Sequence, residues 1–228
     1  MTSVSYDVLT PNQSHTASIQ EHIGRVVDDL LASLPRTEEL SADERRGIIA
    51  RYTAVLEGNF IYWMTGAYLS VRSEVARSII LENLHEEVRD CHPGMLRKFA
   101  MAAHAVPKDT DALAVYRSLS NVRLFIGRLS PVPIVVMMAF FEGLIQRFMP
   151  YFAELAQRQG SVEQEYTDVH GVCDVAHTQE LFRALEAEMA LAHDSRKLVK
   201  SLFEGVELLR TLIQDIVSEP DFPERGNR

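Results

Sequence analysis

From about residue 15 to residue 218, apolar residues recur with the spacing of a helix face, and no stretch alternates with the period of a strand. In IQEHIGRVVDDLLASL they stand at 19, 23, 26, 27, 30, 31 and 34, until Pro35 stops the run. The next segment, SADERRGIIARYTAVLEGNFIYWMTGAYLS, opens with Ser41 as an N-cap and Glu44 three residues on. SEVARSIILENLHEEVRD ends near His92-Pro93-Gly94, and Pro93 suits the first turn of the short PGMLRKFAMAAHA. DTDALAVYRSLSNVRLFIGR is expected to send Leu113, Val115, Leu119 and Val122 to the core. Long helices are expected over about 133–159, kinked at Pro150, and over about 161–192. The last helix follows Asp194 as its cap. The expectation is an all-α bundle of seven to eight helices in a single domain, residues 15–218, between polar, flexible tails at 1–14 and 219–228.

Composition narrows the function. The chain has 228 residues, 46% hydrophobic and 24% charged, enough for a sizeable core. A formal net charge of −9 argues against a nucleic-acid surface. The basic residues Arg72, Arg77, Arg89, Arg97 and Lys98 are interleaved with acids, as on a solvated helix face. The two cysteines, Cys91 and Cys173, form no CxxC, and a reducing cytoplasm is the expected location. The apolar run PVPIVVMMAFFEGLIQRFMP carries Glu142, Arg147 and three prolines. Its uninterrupted part reads as too short to span a bilayer, so a buried core helix is expected and no membrane contact.

Four places carry chemistry that a plain core does not need. In DVHGVCDVAH, His170, Asp174 and His177 stand four and three apart, which stacks them on one side of a helix. Two imidazoles and a carboxylate recur in iron and zinc sites, though two incidental surface histidines would read the same. In ENLHEE, Glu82 and His85 have the Glu-x-x-His spacing of di-iron carboxylate bundles, with Glu86 and Glu87 read as surface acids. Glu142 lies among Met137, Met138, Phe140, Phe141, Leu144 and Ile145, where an unpaired carboxylate would be costly. Glu57 in AVLEGNFIYWM ranks below these, and His92 reads as a helix-end residue. Together, Glu82, His85, Glu142, His170, Asp174 and His177 offer three carboxylates and three imidazoles from three helices. Such a set suits two iron or manganese ions sharing a carboxylate better than zinc, magnesium or calcium.

The order Glu82-x-x-His85, Glu142, His170-x-x-x-Asp174-x-x-His177 resembles the ligand pattern of the haem-oxygenase-like di-iron oxidases and oxygenases, over about residues 50–200. The resemblance implies a haem-oxygenase-like bundle of seven helices without haem, two Fe2+ per chain, and O2 as co-substrate. Glu82, His85, Glu142 and His170 would build one iron site. Asp174 and His177 would complete the other, with Glu142 or Glu82 shared. Relatives oxygenate amines, cleave carbon–carbon bonds of fatty acids or amino acids, or make nitriles. Phe141 stands where the branch that makes aminobenzoate from its own tyrosine has a tyrosine, so that branch is not expected. His22 could imitate a haem ligand, but a haem enzyme would have no use for the six-residue set.

The expected activity is oxidation of a small amine or amino acid in natural-product biosynthesis. The competing readings are oxidative decarboxylation of a fatty acid, a metal-free thiaminase-like hydrolase using Cys91 or Cys173, and a non-catalytic interaction protein. Phe60, Trp63, Met64, Met137, Met138 and Phe141 are candidates for a substrate pocket, against the plainer alternative of core. Arg123 and Arg128 are candidates for clamping a substrate carboxylate. The last helix is compatible with a homodimer.

Overall fold

A computed structural model describes residues 11–192 and 201–218, without the side chains of 11–14 and 172–174. Among the described residues there are eight helices and no strand: α1 Pro11–Ala32, α2 Ala42–Ser70, α3 Glu74–Arg89, α4 His92–Ala102, α5 Asp109–Ile126, α6 Pro131–Arg158, α7 Glu165–Leu191 and α8 Glu204–Val217. α1 begins at Pro11, inside the segment expected to be a tail. Asp194, expected as a helix cap, lies outside the described residues, and α8 starts only at Glu204.

The local signals account for the helix ends. Ser41 and Glu44 form the reciprocal capping box at the start of α2, each side chain bonding the other's backbone N–H. Ser73 accepts from the Ala76 N–H at the start of α3. Between α3 and α4, Cys91 adopts a left-handed conformation (φ 57°), a sharp reversal that a non-glycine residue seldom makes. Pro93 then sits in the first turn of α4, where its missing N–H costs nothing.

α6 is the hub, packed against α1, α2, α4, α7 and α8. Its side chains from Val132 to Phe141 are all buried, so no face is left for solvent over this stretch. By length and composition it could cross a membrane, which corrects the expectation that it is too short; the other helices bury it instead. It runs as one helix through Pro150. Gly205 lets α8 sit directly on the α5 and α6 side chains, since a Cβ there would come within 2.7 Å of Phe125 and 2.8 Å of Met137. In α5 the buried stripe is Val115, Ser118, Val122, Phe125 and Ile126. Leu113 is two residues, about 200°, from Val115 and is exposed, contrary to expectation.

α3 and α7 run antiparallel. Glu188 on α7 lies against Ser73 at the start of α3, and His177 lies against Glu86 near its end. That pairing, with α6 beside it, positions the residues described next.

Candidate metal centre

Five acidic or imidazole side chains are buried together where α3, α4, α6 and α7 meet. Glu87, His92, Glu142, His170 and His177 are each 3–6% exposed, in a region whose other side chains are mostly aromatic and aliphatic. Burying so many ionisable groups is unfavourable unless they satisfy one another or a cation.

They fall into two adjoining groups. In the first, Glu87, His92 and His170 each offer one ligand atom, all within 4.8 Å of one another. His92 Nδ1 bonds Glu87 Oε1 at 2.7 Å, and the His92 and His170 rings meet edge to face at 4.6 Å. His170 Nδ1 donates to the Tyr166 backbone carbonyl at 2.8 Å, which leaves Nε2 as the basic nitrogen. In the second group, His177 stands between two carboxylates. Its Nε2 is 2.8 Å from Glu86 Oε2, and its Nδ1 is 3.9 Å from Glu142 Oε2.

The two groups differ electrostatically. Burial pushes His170 down to about 4, outweighing the Tyr166 carbonyl and the Glu87 charge, so the ring is neutral and ready to donate a lone pair at ordinary pH. Burial also acts to lower His92, but the hydrogen bond and charge of Glu87, with Asp90 and Glu86, outweigh it and raise that imidazole instead. A cation entering the first group would meet His170 with its lone pair already free, with no proton to displace there.

A cavity of about 20 Å³ adjoins the first group. Glu87, His92, Glu142 and His170 form its polar wall, and Leu56, Phe60, Leu96, Phe141 and Ile145 are among its apolar residues. That space holds an ion or a water molecule, not an organic substrate, so a substrate must displace side chains to reach the cluster.

The structure brings Glu142, His170 and His177 together and does not bring Glu82 and His85 with them. The buried stripe of α3 is Ala76, Ile80, Asn83 and Glu87, spaced four, three and four. Glu82 and His85 fall off that stripe and are exposed. Glu86 and Glu87, read from sequence as surface acids, supply the α3 carboxylates, and His92, read as a helix-end residue, supplies the imidazole. The signal for Glu87 was available, because it continues the spacing of Ala76 and Ile80. His92 depends on the left-handed turn at Cys91 and carried no such signal. The Asp174 and Cys173 side chains lie outside the described residues. Glu57 pairs with Arg97 at the surface and takes no part.

The substrate candidates divide similarly. Phe60 and Phe141 line the cavity, their rings 5.5 Å apart. Trp63 packs edge-on against Phe141 from behind, and Met64, Met137 and Met138 are fully buried core, so these four do not line it. Arg123 is exposed and donates to Asn59, while Arg128 pairs with Glu204 and lies over Phe125. Neither arginine faces the cavity, because α5 turns its apolar stripe inward and Arg123 outward, and Arg128, just past its end, is held by Glu204. Cys91 is exposed and outside the cavity wall.

Residues 49–210 match the haem-oxygenase-like family of iron-containing redox enzymes. The chain belongs to that family. Membership makes it a redox enzyme that contains iron, and the matched span runs from α2 into α8, enclosing every residue of the cluster. No curated protein matches the chain significantly. The donor set fits iron: carboxylate oxygens and imidazole nitrogens with no thiolate among the described residues, buried where an unpartnered charge would be costly.

Proposed function

We propose that this iron-containing redox enzyme holds two ferrous ions and uses them with dioxygen to oxidise a small amine or amino acid. The observation that carries the reading is the division of the buried donors into two adjoining groups. Glu87, His92 and His170 would hold one iron. His177, Asp174 and the Glu86 carboxylate would serve the other, with Glu142 on α6 between them. When bound, a pair of ferrous ions supplies electrons for the reduction of dioxygen.

The chain's own residues do the rest. The Tyr166 carbonyl fixes which nitrogen of His170 is basic and which way its ring faces. Glu86 and Glu142 hold His177 from opposite sides. Phe60, Phe141, Leu56 and Ile145 keep the cavity apolar, which limits water beside the reacting centre.

Anaerobic titration with ferrous ion is the test. Two ions per chain are expected for the wild type. Glu87→Ala, His92→Ala and Glu142→Ala should each lower uptake, while Glu82→Ala and His85→Ala should leave it unchanged. Uptake of one ion or none, or loss of uptake in the Glu82 and His85 variants, would sink this assignment. Oxygen consumption by the loaded protein against a panel of amines, amino acids and fatty acids then identifies the substrate class.

A further inference from the structure

One buried charge outside the cluster is placed to control it. Glu188, on α7, is 2% exposed. A single carboxylate oxygen, Oε1, accepts the backbone N–H of Arg72 at 2.7 Å and of Ser73 at 2.6 Å, just ahead of α3. Charge-assisted bonds this short are among the strong ones, and a carboxylate is favoured at the positive end of a helix. It ties the start of α3 to the helix that carries His170 and His177.

α3 has little else to fix its height. Its buried side chains are Ala76, Ile80, Asn83 and Glu87, of which only the first two are apolar, and Ile79 and Leu84 pack half-buried against the core. One of the polar pair, Asn83, leaves its Nδ2 without a partner. Four apolar side chains, two of them only half-buried, resist sliding along a neighbouring helix weakly. The distances from the tie follow from the rise of about 1.5 Å per residue. Glu87 lies about 21 Å along α3 from Ser73. His177 lies about 16 Å along α7 from Glu188, and His170 about 27 Å. The tie thus sets the α3 carboxylates at a height between the two histidines, where one cluster can include all four.

We propose that Glu188 is a positioning residue for the metal centre, holding α3 in the register that presents Glu86 and Glu87 to the α7 histidines. The proposal rests on the metal-centre reading above. Loss of the tie lets α3 slide or fray, and the ions then bind at the cost of restoring its register.

The experiment compares wild type, Glu188→Gln, Glu188→Ala and a control, Ile213→Ala, which opens the core at α8, a helix that carries no residue of the cluster. Each is titrated anaerobically with ferrous ion well below its melting temperature, and amide hydrogen exchange is followed over residues 72–90 with and without the ion. Glu188→Ala should weaken ferrous binding at least tenfold and Glu188→Gln at least threefold, both with faster exchange in α3. Ile213→Ala should lower the melting temperature without changing ferrous affinity, which separates positioning from general destabilisation. If Glu188→Ala does not fold, Glu188→Gln decides the matter alone. Wild-type uptake with unchanged affinity in the Glu188 variants overturns the positioning role by itself. A wild type that takes up no ferrous ion overturns the metal-centre reading and the positioning role together.

Discussion

At the scale of single residues, the cluster is a problem in proton occupancy. His170 is pushed down to about 4 by burial, from an ordinary value of 6.5. As pH falls below about 6.5 the unfolded chain takes up this proton, while the folded protein does so only near 4. The unfolded state therefore binds more protons across that window, and stability must fall as the pH is lowered through it. At about 1.4 kcal/mol per unit, the full loss is on the order of 3 kcal/mol. His92 works in the opposite direction, since Glu87 raises it. Its contribution is complete below its unfolded value and is lost as pH rises through its folded one. Urea unfolding of the iron-free protein from pH 7 to pH 4 should show a steeper acid loss in wild type than in His170→Asn. Equal slopes would mean that His170 is not held neutral by burial. The same scale explains a misreading. Glu82, Glu86 and Glu87 are chemically alike and close in sequence, so choosing among them is a question of helix rotation. Ala76, Ile80 and Asn83 answer it in favour of Glu87, because they lie on its face.

At the scale of elements, helices are positioned by a few close approaches more than by pattern. Gly205 is the clearest, with Phe125 and Met137 both within 2.9 Å of where a Cβ would stand. Gly205→Ala should destabilise the protein by about 1–3 kcal/mol through overpacking, although alanine is the better helix former. Thermal melting measures this, and a neutral or stabilising result would show that α8 moves aside freely. Helix limits were legible wherever a side chain marks them. Ser41 with Glu44, and Pro93 in a first turn, are local devices that operate before any tertiary contact forms. The reversal at Cys91 was not legible, because cysteine has no preference for the left-handed region. That one turn brings His92 back onto Glu87, five residues earlier in the chain.

At the scale of the whole molecule, α6 couples folding to the site. It is the most buried helix and the bearer of Glu142, so the hub of the core is also a wall of the cluster. An ion that binds only the folded arrangement stabilises all of it, by about 2.7 kcal/mol per site at a hundred times its dissociation constant. Anaerobic ferrous ion should raise the melting temperature in proportion to the logarithm of its concentration, and a chelator should reverse the rise. Glu142→Ala should reduce the shift, and a shift as large as the wild type's would place the ion elsewhere.

Apolar residues at helical spacing over some two hundred positions were enough to dictate a bundle, because period and burial are properties of the chain that neighbours only refine. His170 and His177 share a helix face for the same reason, as a consequence of 3.6 residues per turn. Glu142 was marked as exceptional by the apolar residues on every side of it. Glu87 was marked by the stripe of α3, but its meeting with these residues, and which further imidazole joins them, was decided by tertiary structure alone. That choice depends on the rotation of α3, its height against α7 and one left-handed turn, and each of these is set by contacts between segments far apart in the chain.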